Sequence, residues 1–230
     1  MNEMLSIVVP VYNGSSFIAH AIESIYGQQE LPKDFEILLI DDGSQDDSYD
    51  ICLELAQAHP EICVLRNPVN RGIAASRNLG VMNASGQFLA MLDQDDAWRP
   101  DKLVKQYKAL IDNPDADLVL GMQEFHLSGT DQFPPWFKPE WADAPQAGYV
   151  FGCILIRKSI FLNVGLLDET LRYGSDDVDW FGRAKSMGLN EIVIADVVLD
   201  RRIHLSNTSS QTKSFNAELL KVIRRKIGKS

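Results

Sequence analysis

The residues best suited to chemistry in this 230-residue chain are aspartates that occur in three clusters. The clusters are Asp41-Asp42-Gly43-Ser44, Asp93-Gln94-Asp95-Asp96, and Asp176-Asp177 with Asp179. Carboxylates held close together repel one another unless a cation neutralises them. Oxygen ligands of this kind suit Mg²⁺ or Mn²⁺, usually bound together with the phosphates of a substrate. The clusters therefore predict a divalent-metal site, although Asp and Gly after a strand can also simply form turns.

The first two clusters each follow a predicted strand. Short β-branched runs predict buried strands over Leu5–Val11, Phe35–Ile40, Ile62–Leu65, Gln87–Leu92 and Asp117–Gly121. Helical spacing of apolar residues predicts helices over Ser16–Gln28, Asp46–His59, Ile73–Asn83 and Pro100–Ile111. This alternation is typical of a parallel sheet with helices on both faces. Ligands of such sheets bind beyond the carboxyl ends of the strands, so we expect both clusters in one crevice.

The second half of the chain is less regular. The segment from Leu127 to Gly148 is rich in proline and without period, which predicts a long loop of the kind that is often functional. Further strands are predicted over Gly148–Ile156, Asn190–Asp196 and Val198–His204, and further helices over Lys158–Asn163, Asp176–Met187 and Ser214–Ile227.

Composition narrows the class of protein. The chain is 45% hydrophobic and 23% charged, which suits one soluble globular domain. A net charge of −10 argues against nucleic acid as the main partner, because phosphate binding favours a basic face. Three cysteines without metal-ligand spacing predict buried, reduced thiols and a reducing compartment. A start without a basic signal-peptide region, and apolar stretches too short to span a bilayer, predict a soluble cytoplasmic protein.

Several other readings of the acidic clusters fail on spacing. A calcium loop beginning at Asp93 would need Gly at its sixth position and Glu at its twelfth, where Trp98 and Val104 stand. The turn after the first strand lacks the three glycines of a dinucleotide-binding fingerprint. A phosphatase of the haloacid dehalogenase kind would need Thr or Val at Ala97.

Together the motifs resemble the family 2 glycosyltransferases with the GT-A fold, over about Leu5 to Ser209. The matching motifs are Ser6–Asn13, Asp41–Ser44, Asn70–Gly72 with Ala75–Asn78, Leu92–Asp96 with Trp98, Asp176–Asp179 with Arg183, and Arg202–His204 with Asn207 and Ser209. The acidic pair is normally Glu-Asp in that family, whereas this chain has Asp176-Asp177. The resemblance implies an α/β fold with a mostly parallel, Rossmann-like sheet flanked by helices, in a single domain with a short acceptor-side region.

The resemblance also implies how a nucleotide-diphospho-sugar would be bound. Pro10, Tyr12 and Asp41 or Asp42 would line the base and ribose pocket, and a carboxylate there favours uridine. Arg77 would reach that pocket or a phosphate, alongside backbone N–H groups where the third helix opens at Gly72. Asp93 would contact the ribose or orient the ligand. Asp95 would bind Mn²⁺ or Mg²⁺, which would neutralise the diphosphate leaving group, and His204 would complete the metal shell or contact the diphosphate.

The chemistry implied by the resemblance is an inverting sugar transfer to an acceptor hydroxyl. Asp177 is expected to be the general base, with Asp176 the alternative carboxylate. Aromatic residues of the long loop could stack on acceptor sugars or anchor the loop to the core, namely Phe133, Trp136, Phe137 and Trp141. Two alternatives stay open: a protein that binds nucleotide-sugar without transferring it, and another metal-dependent phosphoryl or nucleotidyl enzyme. The acceptor, whether glycan, lipid-linked or protein, is not predicted.

The predicted organisation is a GT-A domain over residues 1–210 followed by a basic helix over residues 211–230. Within the domain, residues 1–125 would form the nucleotide-sugar-binding half and residues 126–210 the acceptor-side half. The tail holds six Lys or Arg residues against one Glu, together with an apolar stripe. A basic amphipathic helix of this kind can contact the inner membrane surface, and packing on the domain is the alternative.

Overall fold

The computed structural model describes residues 4–205, 207 and 212–227, and it describes only the backbone of residues 212, 226 and 227. The predicted boundary between domain and tail, together with Ser209, Lys229 and the side chain of Lys226, lies outside the described residues.

Strands and helices alternate along the described chain. The strands are β1 (Leu5–Val11), β2 (Phe35–Asp41), β3 (Ile62–Arg66), β4 (Phe88–Met91), β5 (Ala97–Trp98), β6 (Leu118–Leu127), β7 (Gln146–Ala147), β8 (Ile154–Arg157) and β9 (Glu191–Ile203). The α-helices are α1 (Ile18–Tyr26), α2 (Ser48–Ala58), α3 (Ile73–Asn83), α4 (Lys102–Asp112), α5 (Lys158–Val164), α6 (Asp176–Ser186) and α7 (Thr212–Ile227). Short 3₁₀ turns cover Pro139–Ala142 and Phe151–Cys153.

All nine strands form one sheet in the order β3-β2-β1-β4-β8-β6-β9-β5, and β7 pairs with β6. The pairings among β3, β2, β1 and β4 are parallel, as the strand–helix alternation predicts. Among the other pairings only that of β6 with β9 is parallel, and β5, β7 and β8 run antiparallel to their neighbours. The sheet is therefore parallel on the side of the first acidic clusters and mixed beyond β4.

Two predicted strands differ in the structure. The prediction of a strand over Gly148–Ile156 is wrong, because the chain folds back there and a Cβ at Gly148 would lie 2.1 Å from Cys153 Sγ. Only Ile154–Arg157 forms a strand. The two closing strands predicted after Asn190 are one continuous strand, β9. Register shifts near Met122 allow β9 to stay paired with β6 across the residues where the sequence predicted a break between two strands.

The sheet is covered on both faces. One core cluster packs α1, α2 and α4 against side chains such as Ile7 and Val9 of β1. The second cluster packs α3, α5 and α6 against the opposite face, where Val8 points. Successive residues of β1 thus enter opposite cores, as its predominantly apolar run predicts.

Candidate active site

Three turns at the carboxyl edge of the parallel strands are tied to one another. The side-chain amide of Gln94 accepts from Tyr12 N at 2.8 Å and donates to Tyr12 O at 3.0 Å. Asn13 N donates to Ser44 Oγ at 3.0 Å, which joins the turns after β1 and β2. A Cβ at Gly14 would lie 2.1 Å from Gln94 Oε1, so a larger residue there would displace the Gln94 amide. The sequence pattern marks Gln94 only as the spacer between two aspartates, and this tethering role was missed.

Arg77 joins the second acidic cluster to the third. Its Nη2 lies 2.6 Å from Asp93 Oδ1, and its Nη1 lies 2.7 Å from Asp176 Oδ2 and 3.2 Å from Asp177 Oδ1. The Arg77 side chain is only 2% exposed. We call these four residues the Arg77 centre.

Arg77 is held as a fixed cation. Its guanidinium carbon lies 4.9 Å from the ring centroid of Phe151. Burial alone would lower the pKa of Arg77, but the charges of Asp93, Asp177 and Asp176 outweigh burial and raise it. One permanent positive charge therefore faces three carboxylates in a poorly hydrated site.

The two aspartates that open α6 differ in access to solvent. The Asp176 side chain is fully buried, and its Oδ1 has no hydrogen-bond partner among the described residues. The Asp177 side chain is 14% exposed. Burial raises the pKa of Asp177 to about 8, the charge of Arg77 opposes this rise, and the charges of Asp176 and Asp93 add to it. Asp177 is thus the carboxylate that an incoming molecule can reach, and its affinity for a proton is high.

A separate group, the Asp95 pair, combines Asp95 with His204. His204 Nε2 lies 2.9 Å from Asp95 Oδ2, although the two residues are 109 positions apart. Asn207 Nδ2 donates to the same oxygen at 3.2 Å, and Phe17 stacks on the imidazole with ring centroids 4.7 Å apart. The neighbouring Asp96 is buried and accepts from Arg202 N at 2.9 Å, which attaches this turn to β9. The structure therefore brings the two predicted metal ligands together.

The atoms of the Asp95 pair fit a divalent cation. Adjacent ligands of an octahedral ion with bonds of about 2.0–2.1 Å are separated by about 3 Å. The 2.9 Å between His204 Nε2 and Asp95 Oδ2 is close to that value. A carboxylate with an imidazole is a donor set that Mn²⁺ accepts well, and Mg²⁺ prefers the oxygen ligand.

The first acidic cluster is largely engaged in holding the backbone. Asp42 is 3% exposed, and its carboxylate accepts from Arg71 N at 3.0 Å and Gly72 N at 2.8 Å. Asp41 is fully buried and lies 2.9 Å from Arg66 Nε. The N–H groups that we expected at the opening of α3 for a phosphate are thus partly occupied by Asp42.

The remaining predicted residues of the base and ribose pocket lie at the end of β1. Pro10 is buried and pairs with Ile40 in the sheet. Tyr12 is 41% exposed at the same edge. Of the four residues predicted for this pocket, Tyr12 is the one that offers an open surface to a ligand.

The aromatic residues of the long loop form a small core of their own. Phe137 is 4% exposed and lies at the centre of this group. The rings around it are those of Phe125 at 5.1 Å, Phe133 at 4.8 Å, Trp141 at 5.4 Å and Trp136 at 6.1 Å. Anchoring of the loop, one of the two predicted roles, is therefore visible in the structure.

A second group of ligand-type residues was missed by the sequence analysis. Glu124, His126 and Asp200 place one ligand atom each within 4.8 Å of one another. Arg99 Nη2 already lies 2.8 Å from Glu124 Oε2 and 2.9 Å from Asp200 Oδ1. The sequence gave no signal for this group, because Asp200 lies on β9, far along the chain from Glu124 and His126 on β6. A cation there would compete with Arg99, so this group suits a metal less well than the Asp95 pair does.

The tail helix α7 packs on the domain. Val222 is 1% exposed, and Glu218 is buried against the loop that precedes α6. None of the described helices combines the length and the apolar character that crossing a bilayer requires.

Comparison with known families gives an independent result. The model of glycosyl transferase family 2 matches residues 6–165. An uncharacterised glycosyltransferase of Rickettsia prowazekii is 29% identical over 222 residues, which cover 90% of this chain and 66% of that protein. The chain thus spans just under two thirds of the length of that relative.

Solved structures confirm the predicted GT-A fold. The mannosyltransferase PcManGT from Pyrobaculum calidifontis, in complex with GDP-Man and Mn²⁺, gives a TM-score of 0.74 at 18% identity, covering 99% of this chain and 65% of that one. TarS 1-349 of S. aureus, in complex with UDP-GlcNAc, gives a TM-score of 0.68 at 20% identity, covering 91% and 61%. At these identities the likeness concerns the fold.

Proposed function

Because the chain belongs to glycosyl transferase family 2, we propose that it transfers a sugar from a nucleotide-diphospho-sugar to an acceptor hydroxyl, with inversion at the anomeric carbon. The observation that carries the proposal is the arrangement of Asp177. This partly exposed carboxylate has a raised pKa and contacts a fixed cation, Arg77, which also holds Asp93 of the turn Asp93-Gln94-Asp95.

The donor would bind at the carboxyl edge of β1, β2 and β4. Tyr12 would pack against the base over Pro10, and Asp41 and Asp42 would shape the pocket by holding its turns. Arg77 would fix Asp93 so that its carboxylate faces the ribose or the sugar. The solved complexes of similar fold contain UDP-GlcNAc in one case and GDP-Man in the other, which supports a nucleotide-sugar donor. We propose uridine as the base.

Asp95 and His204 would hold Mn²⁺ or Mg²⁺, and Asn207 would orient the Asp95 carboxylate. When bound, such an ion acts as a Lewis acid that stabilises the negative charge of the departing diphosphate. The presence of Mn²⁺ in the PcManGT complex supports this choice of metal.

Asp177 would act as the general base. The acceptor hydroxyl loses its proton to the Asp177 carboxylate as its oxygen forms a bond to the anomeric carbon. The bond from that carbon to the diphosphate oxygen breaks on the opposite face, and its electron pair leaves with the nucleoside diphosphate. A carboxylate with a pKa of about 8 is well matched to proton removal near neutral pH, because the best base titrates near the working pH.

The proposal can be tested first by binding. Thermal unfolding should be measured with a panel of UDP-, GDP- and dTDP-sugars, each with and without Mn²⁺. A donor that binds the native state raises the melting temperature, and we expect the largest rise for a UDP-sugar with the metal. The best donor is then incubated with sugar and lipid-linked acceptors while free nucleoside diphosphate is measured. Binding of none of the nucleotide-sugars would contradict the proposal.

A further inference from the structure

The tail helix contacts the segment that leads into the catalytic aspartates. Glu218 of α7 is 4% exposed. Its carboxylate accepts from Arg172 N at 2.7 Å and from Tyr173 N at 3.0 Å. A buried carboxylate is tolerated only where its oxygens are hydrogen-bonded, and here two consecutive backbone N–H groups meet that need. Only Gly174 and Ser175 separate this contact from Asp176.

The same segment is attached on its other side to the donor half of the site. The Arg172 guanidinium donates to Asn70 O at 3.0 Å and to Asn70 Oδ1 at 2.8 Å. Asn70 directly precedes the two N–H groups that the Asp42 carboxylate binds. Arg172 is therefore held by α7 through its backbone N–H and by Asn70, in the turn before α3, through its side chain.

Further contacts seat α7 so that Glu218 reaches the segment. Val222, one turn after Glu218, is buried, and Arg225 pairs with Asp168. Gly174 has a φ of +90°, and a Cβ there would meet no atom within 4 Å. Gly174 thus has a left-handed backbone conformation at a place without close packing. Its position therefore depends on the contacts that hold Arg172 and Tyr173.

We propose that Glu218 is a positioning residue for Asp176 and Asp177, and that α7 is therefore part of the transfer machinery. This inference rests on the proposed function, because Asp177 is the base only if sugar transfer occurs. Glu218 binds no reacting atom. It fixes the backbone from which α6 begins, and so fixes the distance between the base and the donor edge.

Kinetics can separate positioning from general stability. We expect Glu218→Ala to lower kcat about 10-fold or more, because a small displacement of a base is costly, while the KM for the donor stays within twofold. Glu218→Gln keeps the shape and one acceptor atom, and it should recover part of the loss. Lys221→Ala, an exposed position on the same helix, is the matched control and should retain the wild-type kcat.

Amide hydrogen exchange gives a readout that does not need turnover. In Glu218→Gln, and in Glu218→Ala if it folds, the amides of Arg172 and Tyr173 should exchange at least 10-fold faster than in Lys221→Ala. Unchanged exchange would contradict the proposal that Glu218 holds the backbone of Arg172 and Tyr173. Unchanged kcat in a folded Glu218 variant would contradict its positioning role. Absence of transfer by the wild-type protein with every donor would instead count against the proposed function, and the exchange rates would still decide whether Glu218 holds that backbone.

Discussion

The Arg77 centre and the Asp95 pair lie at the same edge of the sheet but balance their charges in different ways. In the Arg77 centre a buried guanidinium contacts three carboxylates, so the cation belongs to the protein. In the Asp95 pair the carboxylate is held by an imidazole and a carboxamide. The Arg77 centre is a salt-bridge network that contains its own cation, whereas the Asp95 pair has the donor atoms of a metal site.

This difference indicates a division of labour. A guanidinium is permanently charged and directional, so it can orient Asp93, Asp176 and Asp177 without any bound ligand. In the proposed transfer, the charge that compensates the departing diphosphate would come from a divalent cation bound with the substrate, and the Asp95 pair would hold that cation. The sequence places Asp93 and Asp95 in one acidic turn, but the structure gives Asp93 a guanidinium partner and Asp95 an imidazole partner.

The largest expected effect comes from removing the cation of the Arg77 centre. Arg77→Met leaves buried carboxylates without their counter-charge, which typically costs about 3–5 kcal/mol of unfolding free energy. Transfer activity should be lost as well. Urea unfolding measures the stability, with Arg71→Met as the control, since the exposed Arg71–Glu169 pair should be worth less than about 1 kcal/mol. Equal losses in both variants would contradict the assignment of Arg77 as the central cation.

The next effect concerns the base. Asp177→Asn preserves shape but cannot accept a proton, so kcat should fall about 10²- to 10⁴-fold. The dissociation constant for nucleoside diphosphate with Mn²⁺, measured by calorimetry, should stay within about threefold of the wild-type value. Asp112→Asn, an exposed change on α4, serves as the control. If Asp177→Asn transfers normally and Asp176→Asn does not, the base is Asp176.

The proposed metal site distinguishes the Asp95 pair from the Arg77 centre and from the group of Glu124, His126 and Asp200. Asp95→Asn should weaken Mn²⁺-dependent binding of UDP about 10- to 100-fold, comparable to losses seen when metal sites are disturbed. His126→Ala removes a ligand-type residue from the group that Arg99 occupies, and we expect it to leave this binding unchanged. Calorimetric titration of UDP with and without Mn²⁺ measures both. If His126→Ala weakened this binding and Asp95→Asn did not, the metal site would instead be formed by Glu124, His126 and Asp200.

The most gradual of the expected effects is a pH dependence of stability. The pKa of Asp177 is raised above its ordinary value to about 8, so the folded protein keeps a proton that the unfolded chain releases near pH 4. The free energy of unfolding should therefore fall as pH rises between about 4 and 8, by at most about 1.4 kcal/mol per pH unit from this group.

Asp177→Asn should flatten that slope, and the difference between the two proteins isolates Asp177 from its neighbours. Those neighbours are Arg77, Asp176, Asp93 and Arg201. Burial also raises the pKa of Asp176, which adds a slope of the same sign to both proteins. The measurements should be made with a metal chelator present and without nucleotide. Identical slopes in the two proteins would mean that Asp177 is ionised in the folded state at pH 7.

Much of the parallel half could be predicted from sequence. The strand Leu5–Val11 and the helix Ile73–Asn83 agree with the predicted bounds residue for residue. The signal is local, since a run rich in β-branched residues, such as Ile7-Val8-Val9, suits a strand buried on both faces. The start of α6 at Asp176 was also predicted. The second half was harder, because the turn at Gly148 depends on close packing against Cys153 and the bulges of β6 depend on pairing with β9, which is distant in sequence.

The sequence alone determined which residue types follow each strand, and hence that acidic clusters would meet at one edge. Strand period and the parallel connection are local properties, so that edge can be inferred from spacing. Tertiary structure decided which partner each carboxylate received. Asp177 contacts Arg77 from 100 positions away, Asp95 contacts His204 from 109, and Asp42 is taken up by backbone N–H groups. Such pairs depend on how the helices pack on the sheet, and no local pattern encodes that packing.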